Sequence, residues 1–330
     1  MVVRWPRRAV FGVVATLVLL GGCADGGEST ERSAETRTVT DADGVSVTVP
    51  ERPKRVVTLS EPTLDGALAL GVTPVGTVAG RGQSTAPGYL SDLASDIPLL
   101  GGVAQPDYEA IAAAKPDLIL VDGTSINNNP DALKILAKIA PTVSTGFAGG
   151  DWRANFTLVA DSLNRVGEGA KVLEEYDDQV ADARRQLTAY AKDTFSIVRW
   201  QGGSASLILT ELPAGVALTD LGLKRPPSQD HPGRGHSDPV SLENLDRIDA
   251  DYIFFGTLGG SSVDNTNAGG DSDVAAAEQA LAQAEQVPGF TGLQAYRDDH
   301  IIPVDGSLWT STGGPLLMSR IVTSVTEALR

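Results

Sequence analysis

Cys23 is the only thiol in a chain of 330 residues, and its neighbours limit what it can do. Arg4, Arg7 and Arg8 precede an apolar run of 12 residues from Ala9 to Leu20, and Gly21 and Gly22 lead into Cys23. A basic start, an apolar run too short to span a bilayer comfortably, and small residues before a cleavage point describe a secretory signal. With no second cysteine the mature chain can form no internal disulfide, and a catalytic thiol pair or cysteine-based metal site is excluded as well. The histidines offer little more. There are three, and His231 and His236 are five apart, a spacing that suits neither one helix face nor a zinc pair. Gly202 to Ser206 lacks the closing glycine of a nucleophile elbow, and no phosphate-cradling glycine loop ending in Lys-Ser or Lys-Thr occurs. An enzyme is therefore disfavoured. Acidic residues outnumber basic ones 42 to 26 with no clustered basic face, which disfavours nucleic acid and suits a cationic partner surface.

Two carboxylates stand out by their spacing. Glu109 opens a short helical stretch and is followed eight residues later by Asp117, which starts the buried-type run Leu118–Val121. Glu243 and Asp251 repeat that spacing before Tyr252–Phe255. Equal spacing in a helix-to-strand unit predicts equivalent positions in two lobes of similar build; the competing explanation is that glutamate suits any helix N-terminus.

The elements that must carry these residues follow from periodicity. Short β-branched runs at 55–59, 75–79, 117–121 and 142–144 alternate with helical stretches at 62–70, 87–93, 106–114 and 130–139, the pattern of a parallel α/β lobe. Trp152 to Lys192 differs. Val172, Leu173, Tyr176, Val180, Ala183, Leu187 and Tyr190 keep helical spacing. Gly167 and Gly169 predict a break before a long helix from Ala170 to Ala191, about 33 Å at 1.5 Å per residue. Strands at 196–200, 251–255 and 300–304, with helices at 273–284 and 315–329, build a second lobe. The expected divisions are a signal at 1–22, a Gly/Ser/Thr/Glu-rich tether at 23–37, a first lobe at 38–151, connecting helices at 152–192 and a second lobe at 193–330.

At Leu20-Gly-Gly-Cys23 the sequence resembles the lipobox of bacterial lipoproteins, in which the cysteine carries a diacylglyceryl group. The folded part resembles a family as well. Pro53 to Leu59 with Asp65 to Gly76, Tyr108 to Leu120, Asp220 to Gln229, Val240 to Leu245 and Val304 to Trp309 are similar, in order and spacing, to periplasmic iron–siderophore and cobalamin binding proteins, above all the ferric dicitrate branch. The resemblance runs from about Thr38 to Arg330. It implies an α/β fold of two Rossmann-like lobes with parallel sheets, bridged by one long rigid helix, the class III solute-binding architecture. It also implies a ferric siderophore in the interlobe cleft, no protein-bound cofactor or metal, and an ABC permease docked by one glutamate per lobe, Glu109 and Glu243 standing at those positions. A monomer tethered to the outer face of the cell membrane through Cys23 completes the expectation. The alternative cargo is haem or a corrinoid.

A ferric chelate already fills the iron's coordination sphere, so the cleft needs arginine forks and flat aromatic walls rather than metal ligands. Ligands of open α/β sheets bind beyond the carboxyl ends of the strands. That rule nominates Arg81, Arg199, Trp200 and Trp309, with Trp152 at the start of the connecting helices and Tyr89 as a weaker candidate.

Overall fold

In the computed structural model, which describes residues 35–123, 125–126, 129–258 and 270–330, the chain opens with an antiparallel hairpin. Its strands are β1 (Thr36–Thr40) and β2 (Ser46–Pro50), joined by a turn in which the Asp41 side chain accepts the amides of Asp43 and Val45. There follow β3 (Val56–Thr58), α1 (Glu61–Ala69), β4 (Thr77–Ala79), α2 (Ser91–Ala94), β5 (Leu99–Gly102), β6 (Gln105–Pro106), α3 (Tyr108–Ala113), β7 (Leu118–Val121), α4 (Pro130–Leu136) and β8 (Thr142–Ser144). Strands β3, β7 and β8 are parallel neighbours, and the central β7, Leu118–Val121, is wholly apolar and buried because both its faces are covered. A parallel bridge between Val57 and Gly76 carries the pairing on toward β4, β5 and β6.

Two helices cross to the second half: α5 (Trp152–Ser162) and α6 (Val166–Gln186). At 21 residues, α6 is about 31 Å long. The break falls at Leu163–Arg165, slightly earlier than the glycines predicted. Asn164 takes the left-handed conformation at φ 55°, which asparagine tolerates. Gly167 and Gly169 lie inside α6 instead. Gly169 serves packing there, since a Cβ would lie 2.7 Å from the Ala160 methyl, and its bareness lets α5 and α6 touch.

The second lobe comprises β9 (Phe195–Gln201), β10 (Ser204–Leu207), α7 (Pro213–Asp220), β11 (Asp238–Val240), a 3-10 stretch at Leu242–Ile248, β12 (Tyr252–Gly256), α8 (Val274–Ala284), α9 (Gln294–Arg297), β13 (Ile301–Pro303), α10 (Gly306–Trp309) and α11 (Pro315–Ala328). Its sheet runs β11-β10-β9-β12-β13, parallel across β9, β12 and β13 and antiparallel at the other edge.

The repeat of glutamate and aspartate has a structural counterpart. Asp117 accepts the amides of Lys54 and Arg55, which lead into β3, and Asp251 accepts the amide and hydroxyl of Thr194, which leads into β9. Each aspartate thus ties the second parallel strand of its lobe to the first. Glu109 and Glu243 both lie at the second position past a side-chain N-cap, Asp107 in one case and Ser241 in the other, and both are on the surface. Among the described residues, no helix is long and apolar enough to cross a membrane.

Candidate functional site

Two buried polar contacts join the lobes, beside an exposed ion pair between Asp92 and Arg320, and the first holds them in place. Asp65, on α1, points its carboxylate at the start of α11 and accepts the amides of Leu316 and Leu317, each at 2.9 Å. The first amides of a helix have no partner within it, so a carboxylate from the other lobe satisfies them and suits the positive end of the helix. Tyr89 completes the pin. Its hydroxyl donates to Asp65 at 3.0 Å, and its amide donates to the Ser307 hydroxyl at 2.9 Å. Asp65 is fully buried; burial raises its pKa, against the lowering by these hydrogen bonds.

The second meeting place lies at the loops beyond the strand ends. Ser60 caps α1, which puts Glu61 in the first turn, where it is only 2 % exposed. The Glu61 carboxylate accepts the Arg81 amide at 2.8 Å from its own lobe, and the hydroxyls of Ser311 and Thr312, each at 3.2 Å, from the other. Arg81 follows β4 in a tight loop whose Gln83 side-chain oxygen accepts the Gly88 amide at 2.7 Å. Its guanidinium has no hydrogen-bond partner among the described residues, and its Nε is buried. Across from it Arg199, near the end of β9, donates to the Ser237 hydroxyl and makes a long 3.5 Å contact with the Thr310 carbonyl oxygen. No carboxylate of the described residues pairs with Arg199. Burial, and after it the positive charge of Arg81, pushes the Arg199 pKa down to about 10. Two arginines, one from each lobe, are thus close enough to repel.

Carboxylates lie nearby without neutralising them. Glu61 spends its oxygens on the amide and two hydroxyls already named. Asp122, just beyond β7, accepts the Ser125 amide at 2.9 Å, and burial raises its pKa. Both guanidinium groups therefore keep donors to spare. A planar fork of N–H groups with no protein acceptor is matched by carboxylate, phosphate or catecholate oxygens.

A third strip of contact flanks this site. Gly149 of the first lobe and Gly235 of the second, at φ +80° and +77°, abut so closely that a Cβ on Gly149 would lie 2.7 Å from the Gly235 Cα. Glu211 fixes the loop carrying Gly235 by accepting the amides of Gly233 and Gly235.

The structure brings Arg81 and Arg199 together but seats the aromatic candidates elsewhere. Trp200 is 1 % exposed and packs on Phe255 and Phe290 with ring centroids 6.0 and 5.7 Å away. The reason is strand geometry: neighbours in β9 point to opposite faces, so Arg199 and Trp200 cannot both line one site. Trp309 is completely buried, stacked on Phe254 at 4.1 Å with its indole N–H donating to the Ser324 hydroxyl. Trp309 has no surface open to a ligand, and Trp200 edges a pocket formed with Gln279, Ala280 and Gln283 of α8, whose lining includes neither Arg81 nor Arg199. Tyr89 belongs to the pin. Trp152 is buried edge-on against Tyr176 at 5.2 Å, with the Arg153 guanidinium over its ring, and it lines a small crevice with Phe147, Glu211 and Thr312. Glu109 and Glu243 are on the surface, apart from the cleft. Cys23 lies outside the described residues, as does Thr124 of the loop after β7.

Sequence reasoning missed Glu61, Asp122, Ser237, Ser311 and Thr312. Glu61 reads as an ordinary first-turn acid. The run Thr310-Ser311-Thr312-Gly313-Gly314 ahead of Pro315 was the legible signal, a polar loop beyond β13 leading into a helix.

Two α/β lobes with parallel strands, joined by a pair of crossing helices and meeting at unpaired arginines, define a two-lobed binding protein. The chain belongs to the periplasmic binding protein family, whose model matches residues 56–308. It is 30% identical over 313 residues to the probable siderophore-binding lipoprotein YfiY of Bacillus subtilis, covering 92% of each chain. The Fe(3+)-citrate-binding protein YfmC of Bacillus subtilis is 26% identical over 304 residues, covering 90% of this chain and 88% of that one. Among solved structures, Staphylococcus aureus SirA complexed with staphyloferrin B superposes with a TM-score of 0.73 at 26% identity, over 89% of this chain and 98% of SirA.

Proposed function

We propose that this chain is the extracytoplasmic solute-binding lipoprotein of an ABC importer, capturing a ferric siderophore between its lobes and delivering it to the permease. The observation that carries this reading is the Arg81–Arg199 pair, one guanidinium from each lobe, buried or half-buried, with donors left over and no carboxylate bound. Holding two like charges together is unfavourable unless an anion is to be placed between them. The relatives named above, a probable siderophore-binding lipoprotein, an Fe(3+)-citrate-binding protein and a protein complexed with staphyloferrin B, support that cargo. The aromatic residues act behind the site: Trp200 and Trp309 support the sheet that presents Arg199, and Trp152 stands nearest the cleft.

The wider assignment is part of the same proposal. Residues 1–22 act as the signal, Cys23 carries the lipid, and the stretch from Cys23 to the start of β1 at Thr36, two residues earlier than the sequence suggested, tethers the monomer to the cell membrane. The lobes span 38–151 and 193–330, with 152–192 connecting them. Glu109 and Glu243 dock arginines of the permease, and the protein does no chemistry on its cargo. Titrating the purified chain with ferric citrate, a ferric catecholate, a ferric hydroxamate and haemin tests the reading. Tight binding of an anionic ferric chelate is expected. Binding of haemin alone, or of none of the four, would overturn it.

A further inference from the structure

Asp122 is a buried carboxylate that the capture of a chelate by two arginines does not explain. It sits at the carboxyl end of β7, 4 % exposed, on the first-lobe side of the site. Its carboxylate accepts the Ser125 amide at 2.9 Å, a neutral partner. Parallel pairing of β3 with β7, Thr58 beside Leu120, sets Asp122 level with Ser60, one residue before Glu61, whose carboxylate in turn holds the Arg81 amide at 2.8 Å. No cation of the described residues forms an ion pair with it. The charge balance of this cluster depends on occupancy. When the site is empty, Arg81 offsets the two carboxylates Glu61 and Asp122. When an anionic chelate takes the free donors of Arg81 and Arg199, that offset is spent on the ligand. Asp122 then faces Glu61 and the ligand's own negative charge inside a desolvated pocket. Like charge nearby favours the neutral form of a carboxyl group.

We infer that Asp122 takes up a proton from solvent when an anionic ferric chelate binds, so that capture is coupled to protonation. The step is balanced: a carboxylate and a proton become a carboxyl group, and no bond of the chelate changes. Ser60, level with it, can accept as well as donate, so the protonated form has a partner at hand. The direction in which burial already moves this group is consistent with the coupling. By linkage, a site that gains a proton on binding binds more tightly as pH falls. The protein then reads the charge of its cargo: a neutral chelate leaves the Arg81 offset in place and draws no proton to Asp122. This inference rests on the reading of the chain as a ferric-chelate binder.

The test compares the full chain with Asp122→Asn, whose amide oxygen can still accept the Ser125 amide. Affinity for ferric citrate is measured at stepwise lower pH, starting from neutral solution. Speciation of the chelate is the same for both proteins, so the ratio of their affinities isolates Asp122. The ratio is expected to rise in favour of the unaltered chain as pH falls, by at most about tenfold per pH unit for one linked proton. A neutral ferric trihydroxamate is expected to leave it flat. A flat ratio with ferric citrate would overturn the coupling while leaving chelate binding intact. Binding of no ferric chelate by either protein would overturn the functional reading first, and the coupling with it. Should Asp122→Asn fail to fold, the carboxyl carbon resonance of Asp122 gives an independent reading. Its titration midpoint in the unaltered chain is expected to rise on loading with gallium citrate, a diamagnetic stand-in, and an unmoved midpoint would overturn the inference.

Discussion

The two polar meeting places of the lobes are built from similar residues and treated in opposite ways. At the pin every group is satisfied: Asp65 accepts two helix amides and a tyrosine hydroxyl, and Ser307 accepts the Tyr89 amide. At the arginine site the carboxylates are occupied while the cations are not: Arg81 has no side-chain partner among the described residues, and Arg199 holds one hydroxyl and a distant carbonyl. An orphaned buried donor costs about 1–3 kcal/mol, and Arg37, Arg225 and Ser196 also leave buried atoms without a partner. What sets the arginine site apart is that spare donors from both lobes converge there with no carboxylate bound. The pin gives the lobes a saturated contact separate from the arginine site, in keeping with the described residues from Glu35 onward forming one compact unit.

Substitutions outside and inside the two contacts sharpen this contrast. The largest effect is expected outside both. Glu109→Ala with Glu243→Ala leaves chelate affinity and melting temperature unchanged but abolishes iron uptake by cells carrying the cognate permease; normal uptake would remove the docking role. Next comes Trp309→Ala, which empties a fully buried site and costs roughly 3–5 kcal/mol in denaturant unfolding. An unfolding free energy within about 1 kcal/mol of the unaltered chain, roughly the error of such a comparison, would put the ring back at the ligand. Asp65→Ala strands three buried donors and should cost about 2–4 kcal/mol, with chelate affinity changed far less. Its pH dependence carries a sign. The folded state raises the Asp65 pKa above 3.8, so the native chain holds that proton more tightly than the unfolded one. The stability difference between the unaltered chain and Asp65→Ala should therefore widen as pH falls through the folded value toward 3.8; a gap that narrows would contradict the buried-carboxylate account. The smallest effect belongs to Asp92→Ala. It removes the exposed ion pair with Arg320 that also links the lobes, and less than about 1 kcal/mol is expected in the same assay.

The architecture was legible in the sequence because it rests on local patterns. Apolar strands alternating with helices, the long amphipathic run before residue 190 and the Glu-to-Asp spacing each survive as structure. Arg81 and Arg199 were legible for a similar reason, since they sit at or just after strand ends. What the sequence hid depends on direction and distance. Arg199 and Trp200 are adjacent in the chain, yet the pleat sends one toward Ser237 and the other into the core. Trp309 stands beside the polar loop 310–314, but the single turn of α10 rolls its ring onto Phe254. Glu61 and Asp65 are four apart on one helix, and nothing in their spacing says that one meets the loop before α11 and the other the first turn of α11, 250 and 251 residues further on.

The arginine pair carries the most weight, and one binding experiment addresses it. Ferric citrate affinity is compared between the unaltered chain and Arg81→Ala/Arg199→Ala, with melting temperature recorded for both. Each lost fork removes charge-assisted hydrogen bonds of about 1.5–3 kcal/mol, so the double variant should bind at least about a hundredfold more weakly. It should melt no lower, because two mutually repelling cations have been removed. Equal affinity in the two proteins would contradict the account.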